Sequence, residues 1–195
     1  MRRLIACELL LVFATPLAFA QAAPWVPDAA HSVVNFSIPH LSLSNVQGRF
    51  GSVAGTVFFD QSDIGKSTVN VTIDVSGVDT GESARDSVLK SSSFFDVEKY
   101  AKATFVSTSV QKTASGLTVT GNLTLRGVTK PVTLTVEGPN RPLTSGNEKL
   151  HVGFTAEASL NRRDFGIATA FPSAVVGDQV KLSIDLEIVN QNDHP

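Results

Sequence analysis

The chain has 195 residues, 42% of them hydrophobic and 17% charged, with a formal net charge of −2. That length suits one domain with a sizeable core, and the balance excludes a disordered chain and a helical membrane protein. The absence of a basic excess excludes nucleic acid as a partner, because its binders carry clustered Lys and Arg.

The first twenty residues read apart from the rest. Arg2 and Arg3 precede an apolar run from Leu4 to Leu17, and Ala18-Phe19-Ala20 fits an A-x-A cleavage pattern. This is the layout of a secretory signal peptide, so a mature domain over 21–195 is expected in the periplasm or outside the cell after cleavage near Ala20. Cys7, the sole cysteine, falls in that leader. The mature chain must then hold together by its core, without disulfides. No second apolar run is long enough to span as a helix, so stable membrane insertion is not expected.

After residue 30, two-residue alternation dominates. Val180 to Ile188 reads V-K-L-S-I-D-L-E-I, and Leu150 to Leu160 alternates apolar with polar or small residues throughout. Eight such stretches lie near 31–40, 48–60, 66–76, 102–112, 116–126, 130–138, 148–160 and 178–190. Side chains alternate faces along a strand, so each stretch is a strand with one apolar face. Most links are short and carry turn residues, which makes the neighbours antiparallel.

The first stretch raises a question of its own, because a histidine stands at each end of HSVVNFSIPH (31–40). On a regular strand the two point to opposite faces, on the order of 30 Å apart at about 3.3 Å per residue. A zinc ion needs each ligand within about 2 Å. His31 and His40 therefore read as the ends of a strand and not as a metal pair.

Eight amphipathic antiparallel strands can form a sandwich or a closed barrel, and closure also removes exposed edges. The fold class expected is all-β, an eight-stranded antiparallel barrel. The residues expected to face its interior are Val34, Phe36, Val57, Val71, Ile73, Phe105, Leu123, Leu134, Val136, Val152, Phe154, Ala156 and Ile184. Many are modest in volume, which favours a tunnel for one slender ligand over a filled core. The inverted arrangement, apolar outside, needs aromatic girdles. Twelve Phe against one Trp and one Tyr do not supply them.

Between the third and fourth strands, Asp79 to Tyr100 (DTGESARDSVLKSSSFFDVEKY) does not alternate. Ser83 could cap a short helix through Leu89. Phe94-Phe95 should then pack over one end of the barrel, either as a lid or as a plain crossover.

At these residues the chain resembles the YceI-like family of exported polyisoprenoid-binding proteins. The resemblance is carried by WVPDAAHSVVNFSIPH (25–40), GRFGSVAGTVFFD (48–60), TGESARDSVLKSSSFFDVEKY (80–100) and ATFVST (103–108). GNLTLRGVTKPVTL (121–134), NRRDFGI (161–167) and VGDQVKLSI (176–184) complete it, over nearly the whole mature chain. It implies a lipocalin-like barrel holding an isoprenoid chain, with no catalytic residues; from the residues themselves no cofactor is expected. Two positions depart from the family pattern: Val88 stands where members often carry histidine, and Ala101 where proline commonly follows the tyrosine. A head-group role for that histidine is therefore not carried over.

A polar head group would sit at the tunnel mouth. Arg85, Arg162 and Arg163 are the candidate contacts, since guanidinium groups grip phosphate or polarise a carbonyl. The alternative is that Arg162, Arg163 and Asp164, so close in sequence, form a structural ion pair. No G-x-S-x-G elbow is present, and His31, His40, His151 and His194 sit in no catalytic motif. Asp60, Asp63, Asp164 and Asp178 lack calcium-loop spacing, so no metal is expected. The expected function is lipid binding, for carriage or sequestration. An enzyme acting on such a lipid and a general scavenger of apolar compounds are the rivals. The oligomeric state is left open, a homodimer included.

Overall fold

The strands form where the alternation is strongest, and their register makes one closed surface. The computed structural model describes residues 24–144 and 149–191. The expected export signal (1–20) and His194 lie outside the described residues. In chain order the strands are β1 (Trp25–Pro27), β2 (Val33–His40), β3 (Ser44–Arg49), β4 (Val53–Phe58), β5 (Thr68–Asp74) and β6 (Lys102–Lys112). They continue as β7 (Leu117–Leu125), β8 (Val128–Glu137), β9 (Leu143–Thr144), β10 (Leu150–Asn161) and β11 (Gln179–Asn190). One helix, α1 (Ser83–Lys90), lies between β5 and β6, the third and fourth of the alternating stretches.

β11 pairs with β1 at one end and with β2 at the other, so these two short strands share one position in the wall. β3 pairs with β2, and β4 with β1 and β5, so they share the next position. From β5 the wall continues through β6, β7, β8 and β10, and β10 pairs along its whole length with β11 to close the barrel. All pairings are antiparallel, and eight strand positions result. The first expected strand forms whole as β2, and the short β1 before it, set off by the turn around Asp28–His31, was not anticipated. The second expected strand, 48–60, is broken at Phe50–Ser52, where the backbone NH of Gly51 donates to Asp74 O at 2.8 Å.

The register places the apolar faces together inside. Val34, Ile184, Ala156 and Val136 are successive cross-strand partners, as are Val71, Phe105 and Leu123. Two glycines create room for rings. A Cβ at Gly48 would fall 2.6 Å from the Phe36 ring, and one at Gly121 would fall 2.5 Å from the Phe105 ring.

Two segments fold over one end. α1 is capped by Glu82, whose carboxylate accepts from Ala84 NH at 3.2 Å, so Ser83 is the first helical residue and not the cap. Phe94 and Phe95 after the helix are buried. The other segment runs from Arg162 to Asp178 between β10 and β11. Arg126 ties the two together by donating to Ser92 O at 2.7 Å and Gly166 O at 2.9 Å. Ala168 NH donates to Ser93 O at 2.9 Å.

Candidate functional site: an apolar cavity inside the barrel

The inner wall encloses a cavity of about 430 Å³, within the range of small-molecule sites. Its lining is almost wholly carbon. Twelve of the thirteen residues expected to face the interior line it. β2 contributes Val34 and Phe36, β4 Val57, β5 Val71 and Ile73, β6 Phe105, and β7 Leu123. β8 contributes Leu134 and Val136, β10 Phe154 and Ala156, and β11 Ile184.

Val152 is the exception. It faces inward but sits 1% exposed in a packed cluster with Trp25 and Ile188, behind Val57 and Phe59, which border the cavity. Alternation assigns a side chain to a face and says nothing of its depth along the barrel. Two turns of the alternation separate Val152 from Ala156, and over that distance filled core gives way to cavity.

Several lining residues carry no alternation signal because they come from the covering segments. Leu89, Phe94 and Phe95 descend from the α1 side, and Phe165, Ile167 and Phe171 from the segment after β10. Ring contacts hold them in place: Phe95 meets Phe50 at 5.5 Å, which in turn meets Phe36 of β2 at 5.2 Å, and Phe94 meets Phe171 at 5.4 Å, joining the two covering segments. Phe-rich composition was the available sign of such a lid. The cavity reaches the surface beside Val88, which lines it and is 51% exposed. His40, Pro39 and Ile38 at the end of β2 line the same end.

The three candidate arginines have different environments. Arg162 is 2% exposed, and all five of its N–H groups are consumed within the fold. Nε donates to Gly177 O, Nη1 to Ile167 O and Ala168 O, and Nη2 to Phe171 O and Val176 O, at 2.6–3.0 Å. Asp178 balances its charge at 2.9 Å. Burial draws its pKa below the ordinary guanidinium value, opposed by Asp178. Arg162 lines the cavity but has no donor left for a head group; it is the hub that shapes the 162–178 segment.

Arg163 does not line the cavity. It donates to Asp178 at 2.7 Å, to Thr169 O and to Phe171 O. The sequence expectation of a head-group contact is corrected for both residues. In each case the carbonyls of a folded-back loop reach the guanidinium first, and the ion pair that forms is with the distant Asp178, where the sequence suggested the neighbouring Asp164. Hydrogen bonds from Ser173 and Arg163 hold the Asp178 carboxyl below the usual carboxylate range.

Arg85 remains. It lines the cavity at the Val88 end, and Thr80 holds it through Nε to Oγ1 at 2.8 Å and Nη2 to the carbonyl at 3.0 Å. Asp86 fixes Thr80 in turn, accepting from its NH at 2.9 Å and its hydroxyl at 2.6 Å. Nη1 of Arg85 is not engaged in these bonds, so a positioned cation stands at the opening.

The histidines lie elsewhere. His31 sits in the turn before β2 and donates through Nδ1 to the Asp28 carboxylate at 2.9 Å, with Glu187 at 4.0 Å. Glu187 also contacts His151 at 2.5 Å. Asp28, His31 and Glu187 bring ligand-type atoms within 4.8 Å of one another on the outer wall. Their hydrogen bonds fasten the break between β1 and β2 to β11. The hydrogen bond from His31 holds Asp28 below its ordinary pKa, and Asp28 raises that of His31.

Comparison with known proteins agrees with this architecture. The model of the YceI-like domain matches residues 25–188. Protein YceI of Salmonella newport (strain SL254) is 41% identical over 181 residues, 93% of either chain. Among solved structures, BcnA of Burkholderia cenocepacia superposes with a TM-score of 0.73 at 25% identity, over 83% of this chain and 98% of that one. A polyisoprenoid binding domain from Saccharophagus degradans superposes with a TM-score of 0.62 at 20% identity, over 86% and 99% of the two chains. A barrel of eight strand positions around an apolar cavity, matched over nearly its full described length, places this chain in the YceI-like family.

Proposed function

We propose that this protein binds one long isoprenoid lipid, of quinone or polyprenyl type, with the chain inside the barrel and the polar head at Arg85. The observation that carries the reading is the cavity of about 430 Å³ inside the barrel whose lining is nearly all hydrocarbon. Burying a methylene is worth about 0.8 kcal/mol, so each five-carbon unit contributes roughly 3–4 kcal/mol gross. A few units offset the roughly 4–15 kcal/mol lost on association. Affinity then comes from the chain, and Arg85 adds preference for an anionic or carbonyl head. The binding activity named for the Saccharophagus degradans domain supports the same ligand class.

The role is carriage or sequestration in the periplasm or outside the cell, a reading supported by the export pattern in residues 1–20. No nucleophile paired with an oriented base faces the cavity among the described residues, which favours binding over catalysis. Purified protein incubated with a quinone and a polyprenyl phosphate should retain lipid that is recovered unchanged on extraction. Chemically altered lipid would overturn the carrier reading, and no retention of either would overturn binding.

A further inference from the structure

The barrel interior is divided along its length. At the end remote from Val88, the cluster of Trp25, Val57, Phe59, Val152 and Ile188 fills the bore, and Ile188 has no exposed surface. Phe59 is held edge-on between two other rings, 5.8 Å from Trp25 at 81° and 5.6 Å from Phe154 at 84°. Trp25, Val152 and Ile188 lie behind this arrangement and do not touch the cavity, whereas Phe59 and Phe154 line it. The two rings form the aromatic part of the floor, beside Ile64 and Val69, which also pack on this cluster and line the cavity. Because T-shaped aromatic pairs in a close-packed interior resist displacement, the floor does not yield to a longer ligand.

We propose that Phe59 and Phe154 set the length of isoprenoid that the barrel accepts. This rests on the reading that the chain enters with its head at Arg85. With the head fixed at the opening and the tail stopped at the rings, units added up to the floor gain burial. Units beyond it must stay in water or push the head off Arg85. Affinity should therefore rise with chain length and then stop rising at one definite length. Leu186 packs against the floor cluster and also lines the cavity, so its size adjusts the same distance.

The test is a series of polyprenyl monophosphates of increasing unit number, with affinity read by competition in native mass spectrometry. For the unaltered protein, affinity should climb with each unit to a break. Phe59→Ala should move the break to longer chains by about one unit, since a truncated core ring leaves a cavity that only partly collapses. Phe154→Leu, a milder change should Phe59→Ala fail to fold, should lengthen it less. Leu186→Phe should shorten it, an effect that general loosening of the fold would not produce. If the unaltered protein binds the series but folded variants keep the break in place, the length-setting role is wrong and lipid binding stands. If the unaltered protein binds no member, both are wrong.

Discussion

Replacing Ala156 with tryptophan would put an indole across the middle of the bore. Ala156 is 9% exposed, lines the cavity, and pairs with Val136 on one side and Ile184 on the other. Phe154, Val57 and Phe59 lie beyond it towards the floor, so the lower part of the cavity would be cut off. Each isoprene unit excluded forfeits roughly 3–4 kcal/mol of burial. That corresponds to between two and three decades in Kd per unit. The fold itself should lose only about 1–3 kcal/mol from overpacking, because the indole enters space and not packed atoms. Titration with a polyprenyl lipid would read the binding, and urea unfolding would check the fold. Thr155→Trp, on the exposed face of the same strand, should leave affinity unchanged. A folded Ala156→Trp protein that binds as tightly as the parent would refute the interior route.

Other perturbations separate structural from ligand-facing groups. Arg162→Met should cost about 3–5 kcal/mol, since it takes the side-chain donor from the Ile167, Val176 and Gly177 carbonyls and one of two arginines from Asp178; a loss under about 1 kcal/mol in urea unfolding would contradict its role as hub. Arg85→Gln should weaken a polyprenyl phosphate by about 1.5–3 kcal/mol, roughly 10–100-fold, with little effect on a hydrocarbon of equal length. Equal effects on both would remove Arg85 from head-group contact. Ile188→Ala, in the fully packed floor, should cost about 2–5 kcal/mol of stability. The Asp28–His31 pair should stabilise most between about pH 4 and 6.5, where Asp28 is ionised and His31 protonated. The contribution of Asp28 fades as pH falls through its depressed value, and that of His31 fades as pH rises through its raised value. The stability difference between the parent and His31→Ala should therefore shrink above neutrality. A difference independent of pH would dispose of the pairing.

The inward faces were legible because strand side chains alternate strictly, and twelve residues placed on that basis line the cavity. Depth was not legible. Val152 and Ala156 share a face and a strand, yet one packs on Trp25 and the other borders open space. The break in the second strand was hidden because R-F-G-S reads as continuous at the level of pattern, and β1 was missed because three residues are too few to show alternation. Arg162 shows a different limit. Its partners are the carbonyls of residues 167–177, brought back by a loop whose path no local signal announces. An arginine near a barrel mouth suggests anion binding, and only the folded chain reveals that its donors are already taken. The lid was half visible: Phe94 and Phe95 stood out in a stretch without alternation, while Phe165 and Phe171 did not.

The claim that a hydrocarbon chain lies within the barrel is tested most directly by photolabelling with an isoprenoid carrying a diazirine at mid-chain. Residue-level mapping should find the label on inward side chains such as Phe105, Leu123 and Val136. Label concentrated on Val106, Asn122 and Thr135, the exposed neighbours on the same three strands, would contradict the account.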